Sequence, residues 1–425
     1  MPLKTFASIP ARAYGFTALS GGNYWMAHLA GAGQDYAYSI KCDSAGVPWI
    51  SGGIQIGGVY SGVFGKIATT GTSIDLQVAA NGTGQTQYYA LATDGSNWYA
   101  AGINQPSGVV GVLVKYNGSG VIQWQRKLTP SANSAYAYDI EVDSSGNVFV
   151  SGQGYNGNYA VNLPWVVKYN SAGALQWQYF IYNSAVAGTG FAVALDSSSN
   201  VQLWGNINSN GAAGMKLNSA GTVSWVNRYS SNLADLAYAA TTEQSTGDTY
   251  IAGRYGSTTG TFLAKIATGG TITWQRTLNT AAYAQQTQVA VDSTGNVYLL
   301  FGQSQVAKYN SSGTIQWQRS LTNGAGSITL GGIAVDNLGS MYLIGYNNVS
   351  SASDMFVAKL PTDGTKTGTY TLGSSSYTWA ASTWTDAAGS GTMAATGSQS
   401  IMNLTDAAGT LTTATPGMNI TKATV

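Results

Sequence analysis

One phrase of four parts returns about every 49 residues along this chain of 425 residues. An apolar run closes on an acidic turn such as Asp143-Ser144-Ser145-Gly146-Asn147, and an alternating stretch such as Val148-Phe149-Val150-Ser151 follows. Then come Val167-Lys168-Tyr169-Asn170 and Gly173-Ala174-Leu175-Gln176-Trp177. A period of this length marks a stack of small β units, because one such unit cannot cover its own apolar faces and has to lean on its neighbours.

The lysine of the third part stands at Lys66, Lys115, Lys168, Lys216, Lys265, Lys308 and Lys359, which gives seven copies. The acidic turn residue stands at Asp43, Asp94, Asp143, Asp196, Asp292 and Asp336, whereas the fifth copy reads Gln244-Ser245-Thr246-Gly247. Trp124, Trp177, Trp225, Trp274 and Trp317 mark the fourth part. The first copy has Ile74-Asp75-Leu76-Gln77 there, and the seventh, after Leu360-Pro361-Thr362-Asp363-Gly364, has no Trp. A substitute stands near the start, where Tyr24-Trp25-Met26-Ala27-His28-Leu29 aligns with Gln316-Trp317-Gln318-Arg319-Ser320-Leu321. It is a fourth strand without its own first three. Residues near 22 to 30 are therefore expected to complete the last unit and close a ring, which removes two sheet edges that would otherwise template aggregation.

Within each unit, apolar and polar residues alternate with period two between Gly and Asn turns, and helix signals are nearly absent. The expected fold is all-β, a seven-bladed β-propeller of four-stranded antiparallel blades closed by an N-terminal strand. A β-helix would need a much shorter period, and an open array fits the displaced first strand less well. Three regions follow: a leader over 1–21 that could serve as an anchor, the propeller over 22–370, and a Ser, Thr, Ala and Gly-rich tail over 371–425. The tail repeats itself once, Trp384-Thr385-Asp386-Ala387-Ala388-Gly389 returning as Leu404-Thr405-Asp406-Ala407-Ala408-Gly409. It reads either as a disordered linker or as a short β or extended attachment or oligomerisation segment. Tyr377, Trp379, Trp384, Ile401, Met402 and Leu404 give it more apolar content than a solvated linker needs.

Charged residues are 8% of the chain, against roughly 25% in ordinary soluble domains, and the net charge is +1. No basic field exists to draw nucleic-acid phosphates or an anionic membrane surface. No apolar stretch of about 18 residues is present to insert into a bilayer. The first dozen residues lack the apolar region of a secretory signal. Cys42 is the single cysteine and so forms no internal disulfide; it reads as a core residue.

His28 is the only histidine, so a Ser or Cys nucleophile has no second imidazole to activate it, and Cys/His zinc sites are excluded. Carboxylate pairs of the glycosidase kind need only Asp and Glu. Yet Asp43, Asp143, Asp292 and Asp336 each open a turn ending in Gly, where an Asp side chain binds backbone amides. A residue present in every unit is architectural, since a catalytic group is needed once. A calcium loop would need several oxygen ligands at alternating positions, and one carboxylate per turn falls short. The repeated lysines read as stems along a neighbouring blade or partners of repeat carboxylates, and the Trp-Gln-Arg strands as blade-to-blade packing. No catalytic residue, metal or cofactor is expected.

The connections between strands one and two and between three and four are nearly constant in length, and in an up-and-down blade they share one face. The other connections vary, from the long one between Gly152 and Trp165 to the minimal one between Gly302 and Val306. They carry Tyr60, Tyr155, Tyr159, Tyr182, Tyr255 and Tyr283. Function on rigid scaffolds concentrates in variable loops, and Tyr with Asn, Ser and Gly makes adaptable contact surfaces suited to neutral sugars or proteins. These six tyrosines are the candidate binding residues.

The stretch Val289-Ala290-Val291-Asp292-Ser293-Thr294-Gly295-Asn296-Val297-Tyr298, followed by Val306-Ala307-Lys308-Tyr309-Asn310-Ser311-Ser312-Gly313-Thr314-Ile315-Gln316-Trp317, resembles the SBBP-type β-propeller repeat over about four-fifths of the chain. Such repeats occur in bacterial surface proteins and in virion structural proteins of tailed bacteriophages, and the leader and the Thr-Asp-Ala-Ala-Gly tail look more like the phage group. The resemblance implies a non-enzymatic virion protein, a tail fibre, appendage or surface decoration. Its terminal segments would meet other virion proteins or further copies of itself, and its disc would meet a host-surface glycan or protein. The alternatives are a carbohydrate depolymerase using carboxylates on the variable-loop face, and an extracellular bacterial adhesin.

Overall fold

The computed structural model describes residues 16–18, 24–29 and 33–414, apart from short connecting segments of which 280–286 is the longest. Among these residues every regular element is a β-strand, and the strands form seven sheets, one for each copy of the repeat. The chain starts each blade at its innermost strand: Asp35–Cys42, Gln85–Thr93, Ala135–Val142, Gly188–Leu195, Leu236–Thr242, Gln288–Val291 and Ser327–Val335 for blades one to seven. These seven strands pack side by side around an axis.

Blade seven closes as the sequence predicts. The strand Trp25–Leu29 pairs with Ser353–Pro361, Trp25 lying opposite Lys359 and Leu29 opposite Met355, and Phe16–Ala18 adds a fifth strand outside it. The displaced tryptophan also makes the contact that its counterparts make elsewhere. In blade two, Trp124 Nε1 donates to the Ser171 carbonyl in the next blade's turn at 3.0 Å, and Lys115 Nζ donates to the same oxygen at 3.1 Å. Trp317 and Lys308 both reach the Thr362 carbonyl, each at 3.2 Å. Trp25 Nε1 reaches the Thr69 carbonyl of blade one at 2.9 Å, with its ring against Gly71. The lysine stems lie over aromatic rings, as Lys115 does over Tyr99 with 5.2 Å to the centroid, so the repeated cations belong to the joints between blades.

The repeated acids are likewise bound into turns. Asp143 Oδ1 accepts the amides of Ser145 and Asn147, both at 2.9 Å, and Oδ2 accepts Asn147 Nδ2 at 2.8 Å. In the fifth blade the sequence alignment is off by one residue. Glu243 holds the acidic place there, its carbonyl accepting the Gly247 amide at 2.8 Å, in a turn one residue longer than Asp143 to Gly146. Its carboxylate meets Lys265 Nζ at 2.8 Å in a buried ion pair. Cys42 is half-buried and packs at the margin of a core cluster that includes Ile40, Ile50 and Val357.

Beyond residue 370 the chain continues in the same sheets. Ser375–Ala381 pairs with the fourth strand of blade six, Asp386–Ala388 with that of blade five, and Thr392–Ala395 with that of blade four. Ser398–Ile401 pairs with blade three, Leu404–Ala408 with blade two and Thr412–Ala414 with blade one. The tail is a strap that runs back around the ring, laying a further strand on each of blades six to one, with Gly368–Leu372 added outside it on blade six. Ala381, Ala388, Ala395, Ile401 and Ala408 each oppose the residue two places after the blade's Trp: Arg319, Arg276, Asn227, Tyr179 and Arg126. The spacing of those residues is six or seven. Adjacent strands rotate by about 20–25°, so four steps turn the fifth strand by roughly 80–100° from the innermost one. It therefore runs around the disc, and one extended segment serves successive blades. The internal echo of the tail follows from this, since Asp386 opposes Leu278 and Asp406 opposes Leu128 at equivalent places. Of the tail's apolar residues, Tyr377 and Trp379 are fully buried and Trp384 packs on Phe301 at 5.3 Å between centroids. Ile401 and Leu404 lie in strap strands, and Met402 is outside the described residues.

Candidate functional site in the axial channel

The seven innermost strands carry residues that the repeat does not explain. Six of them are bulged at one equivalent place, where an extra residue sits between Ala37 and Ser39, Tyr88 and Ala90, Ala137 and Asp139, Gly190 and Ala192, Ala237 and Ala239, or Leu330 and Gly332. A bulge re-aims the extra side chain and is frequent beside functional sites. In blades one to five that residue is Tyr38, Tyr89, Tyr138, Phe191 and Tyr238, each half-buried; in blade seven it is Gly331. The strand of blade six is shorter and presents Gln288.

These rings form a continuous arc at one mouth of the channel. Centroid separations are 5.3 Å for Tyr38 to Tyr89, 6.1 Å for Tyr89 to Tyr138, 5.7 Å for Tyr138 to Phe191 and 4.8 Å for Phe191 to Tyr238. Such separations are those of mutually stabilising aromatic pairs. The arc walls a cavity of about 420 Å³, completed by Thr287, Gln288, Gly331 and Tyr346. That volume is within the usual range for small-ligand sites, roughly 300–1,000 Å³. Burial pushes the Tyr38, Tyr89, Tyr138 and Tyr238 hydroxyls above the usual phenol range, so they stay neutral.

Beneath the arc, a constriction of about 80 Å³ shares its rings and is lined further by Ser39, Lys41, Asp139, Glu141, Thr241 and Gln288. Asp139 and Glu141 stand two apart on one strand, so both point to the channel side. Lys41 Nζ, from blade one, meets Glu141 Oε1, from blade three, at 3.0 Å across the axis. Asp139 Oδ1 accepts the Ile140 amide at 2.9 Å, and Oδ2 accepts the Val193 amide of blade four at 3.0 Å. Burial first, then the nearby Glu141, raises the Asp139 carboxyl to about 7, against the pull of Lys41. The Glu141 carboxylate in turn raises Lys41. Below the ion pair the channel widens into a funnel of about 900 Å³ lined by the acidic turns, among them Asp143, Asp196 and Asp292.

Of the six tyrosines expected from the sequence, Tyr60 stands beside the arc through its contact with Tyr36 and lines neither the mouth nor the constriction. Its hydroxyl and that of Tyr36 donate to Gln34 Oε1 at 2.9 and 3.0 Å, and the Tyr36 ring lies 6.2 Å from Tyr38 and 4.8 Å from Tyr346. Tyr155 is half-buried at the end of its strand, its amide bonded to the Ser134 carbonyl, and makes no ring contact with the arc among the described residues. Tyr182 and Tyr255 end the strands Leu175–Tyr182 and Thr249–Tyr255, at the same face as the arc. Tyr159 and Tyr283 lie outside the described residues. Lys41, Tyr38, Tyr89, Tyr138, Asp139, Glu141, Phe191 and Tyr238 were not singled out as site residues. The available signal was departure from the repeat, since alanines stand at the place of Asp139 in blades two, four and five. Among the described residues no group of three or more His, Cys, Asp or Glu is placed to hold a metal ion.

No protein-family model matches the sequence, and no curated protein does. Solved structures do match the fold. Hydrazine synthase of Kuenenia stuttgartiensis aligns over 77% of this chain and 95% of its own at 11% identity with a TM-score of 0.53. Sqt1 of Chaetomium thermophilum, bound to the N-terminus of ribosomal protein L10, aligns over 79% and 98% at 8% identity, TM-score 0.47. BamB of Moraxella catarrhalis aligns over 72% and 96% at 14% identity, TM-score 0.41. At such identities the likeness to the first of these speaks for architecture alone, and the chain is a seven-bladed β-propeller.

Proposed function

We propose that this chain is a non-enzymatic, carbohydrate-binding propeller that serves as a surface component of a virion, with the aromatic mouth of its channel turned toward a host-surface glycan. The observation that carries the reading is the arc from Tyr38 through Tyr89, Tyr138 and Phe191 to Tyr238, one ring from each of five successive blades. Flat rings bordering a cavity, with amides and neutral hydroxyls at the edge, suit the apolar faces and hydroxyl rims of sugars. The virion setting comes from the resemblance of the repeat and tail to phage structural proteins. Binding is favoured over hydrolysis because Glu141 is tied to Lys41 and both oxygens of Asp139 accept backbone amides. A hydrolytic pair needs one carboxyl to give a proton and another to meet the sugar carbon.

A glycan array comparing the protein with a Tyr89→Ala, Tyr138→Ala variant tests the reading. Binding should fall at least about tenfold while the melting transition stays cooperative. Unchanged glycan binding by the folded variant, or no glycan binding by the unaltered protein, would refute it.

A further inference from the structure

We infer that the ligand of the channel is a cationic amino sugar, its ring stacked on the aromatic arc and its ammonium group lowered into the constriction toward the carboxylate of Asp139. The inference rests on the carbohydrate-binding reading above and names the class of sugar.

One position on the innermost strands is left open by the fold. The residue following the bulge is Ser39, Ala90, Asp139, Ala192, Ala239 and Gly332 in turn, and all of these but Ala192 line the constriction. Where it has a polar side chain it bridges to the next blade: Ser39 Oγ accepts the Leu91 amide at 3.3 Å, and Asp139 Oδ2 accepts that of Val193 at 3.0 Å. A hydroxyl is sufficient for that bridge, and three alanines show that the joint forms without it. A carboxylate at this place is more than the architecture requires.

Its charge is also unbalanced. Lys41 is bonded to Glu141 at 3.0 Å and draws on Asp139 only without a hydrogen bond, so the constriction holds two carboxyl groups against one cation. Burial beside Glu141 makes the ionised form costly in the empty channel, and an incoming cation reverses that preference. Immediately above stand five rings whose negative faces attract a cation as well as the apolar face of a sugar. The constriction of about 80 Å³ has room for an ammonium group and a water, since one water needs about 10–15 Å³ of such space. An N-acetyl group would set a methyl against the carboxylate and bring no charge.

Titration calorimetry near neutral pH, with a glucosamine trimer and an N-acetylglucosamine trimer of the same linkage, tests this. The glucosamine trimer should bind about tenfold or more tightly, the fold-change expected of one charge-assisted hydrogen bond. Asp139→Asn should abolish the preference. Equal or weaker binding of the glucosamine trimer to the unaltered protein overturns the inference, and that comparison decides even where the Asn variant does not fold. A folded Asn variant that keeps the preference overturns it too. Binding of the acetylated trimer alone leaves the carbohydrate reading standing without the inference; binding of no glycan removes both.

Discussion

His28 should make the closing strand acid-labile, and replacing it should remove that lability. The ring is buried in Trp25–Leu29, between Phe356 and Tyr377, with Nε2 facing the Tyr377 hydroxyl and Asn347 Nδ2. It thereby joins the N-terminal strand of blade seven to the first strap strand on blade six. Burial lowers its pKa from 6.5 to about 4. The unfolded chain therefore takes up a proton below about pH 6.5, while the folded chain refuses it until about pH 4. Stability is full above the upper value and falls with pH between the two, at about 1.4 kcal/mol per unit, a loss of about 3 kcal/mol in all. His28→Gln keeps a polar side chain there and does not titrate. Denaturant unfolding of both proteins from neutral pH to about pH 4 gives the difference directly. Asp139, raised to about 7, acts in the opposite sense, stabilising as pH falls, but it is common to both proteins and cancels. Parallel pH profiles for the two proteins would refute the reasoning.

Two further outcomes follow from the joints and the strap. Gly173→Ala places a Cβ at φ +76° and 2.8 Å from the Trp124 ring, so it should cost roughly 2–4 kcal/mol by thermal unfolding. Gly57→Ala, at φ +60° with nothing within 4 Å, should cost about 1 kcal/mol, and equal losses would contradict the packing role of that joint. Truncation after residue 382 removes the fifth strands of blades five to one while sparing blade six, and leaves the fourth strands of those five blades as open edges. Sedimentation should then show larger species than the full chain gives, and an unchanged profile with unchanged melting would count against a sealing role for the strap.

The ring, the blade number and the closing strand were legible because they rest on repetition, and Trp25 could be matched to Trp317 from sequence alone. The strap was not legible as a strap. Its strands are three to seven residues long and rich in Ala and Thr, and they acquire meaning only opposite residues such as Arg126 and Arg276, far away in the chain. The Thr-Asp-Ala-Ala echo was visible, but not what it was measuring. Attention to what recurs also hid the channel. Tyr38, Tyr89, Tyr138 and Tyr238 sit inside apolar runs that read as core, and a bulge, which no residue type announces, turns them inward. Lys41, Asp139 and Glu141 were the exceptions within those runs. Exceptions to a repeat are where a ring of equal parts becomes directional.

The strap also decides how the disc bears load. Tension applied beyond Thr412–Ala414 would meet the attachment on blade one first, then those on blades two, three, four, five and six in turn. Each release would free about seven residues, at most about 23–25 Å of extended chain. The disc would yield like a seam unpicked stitch by stitch, absorbing a pull in small increments while the ring inside, locked by Trp25 against blade one, keeps its shape.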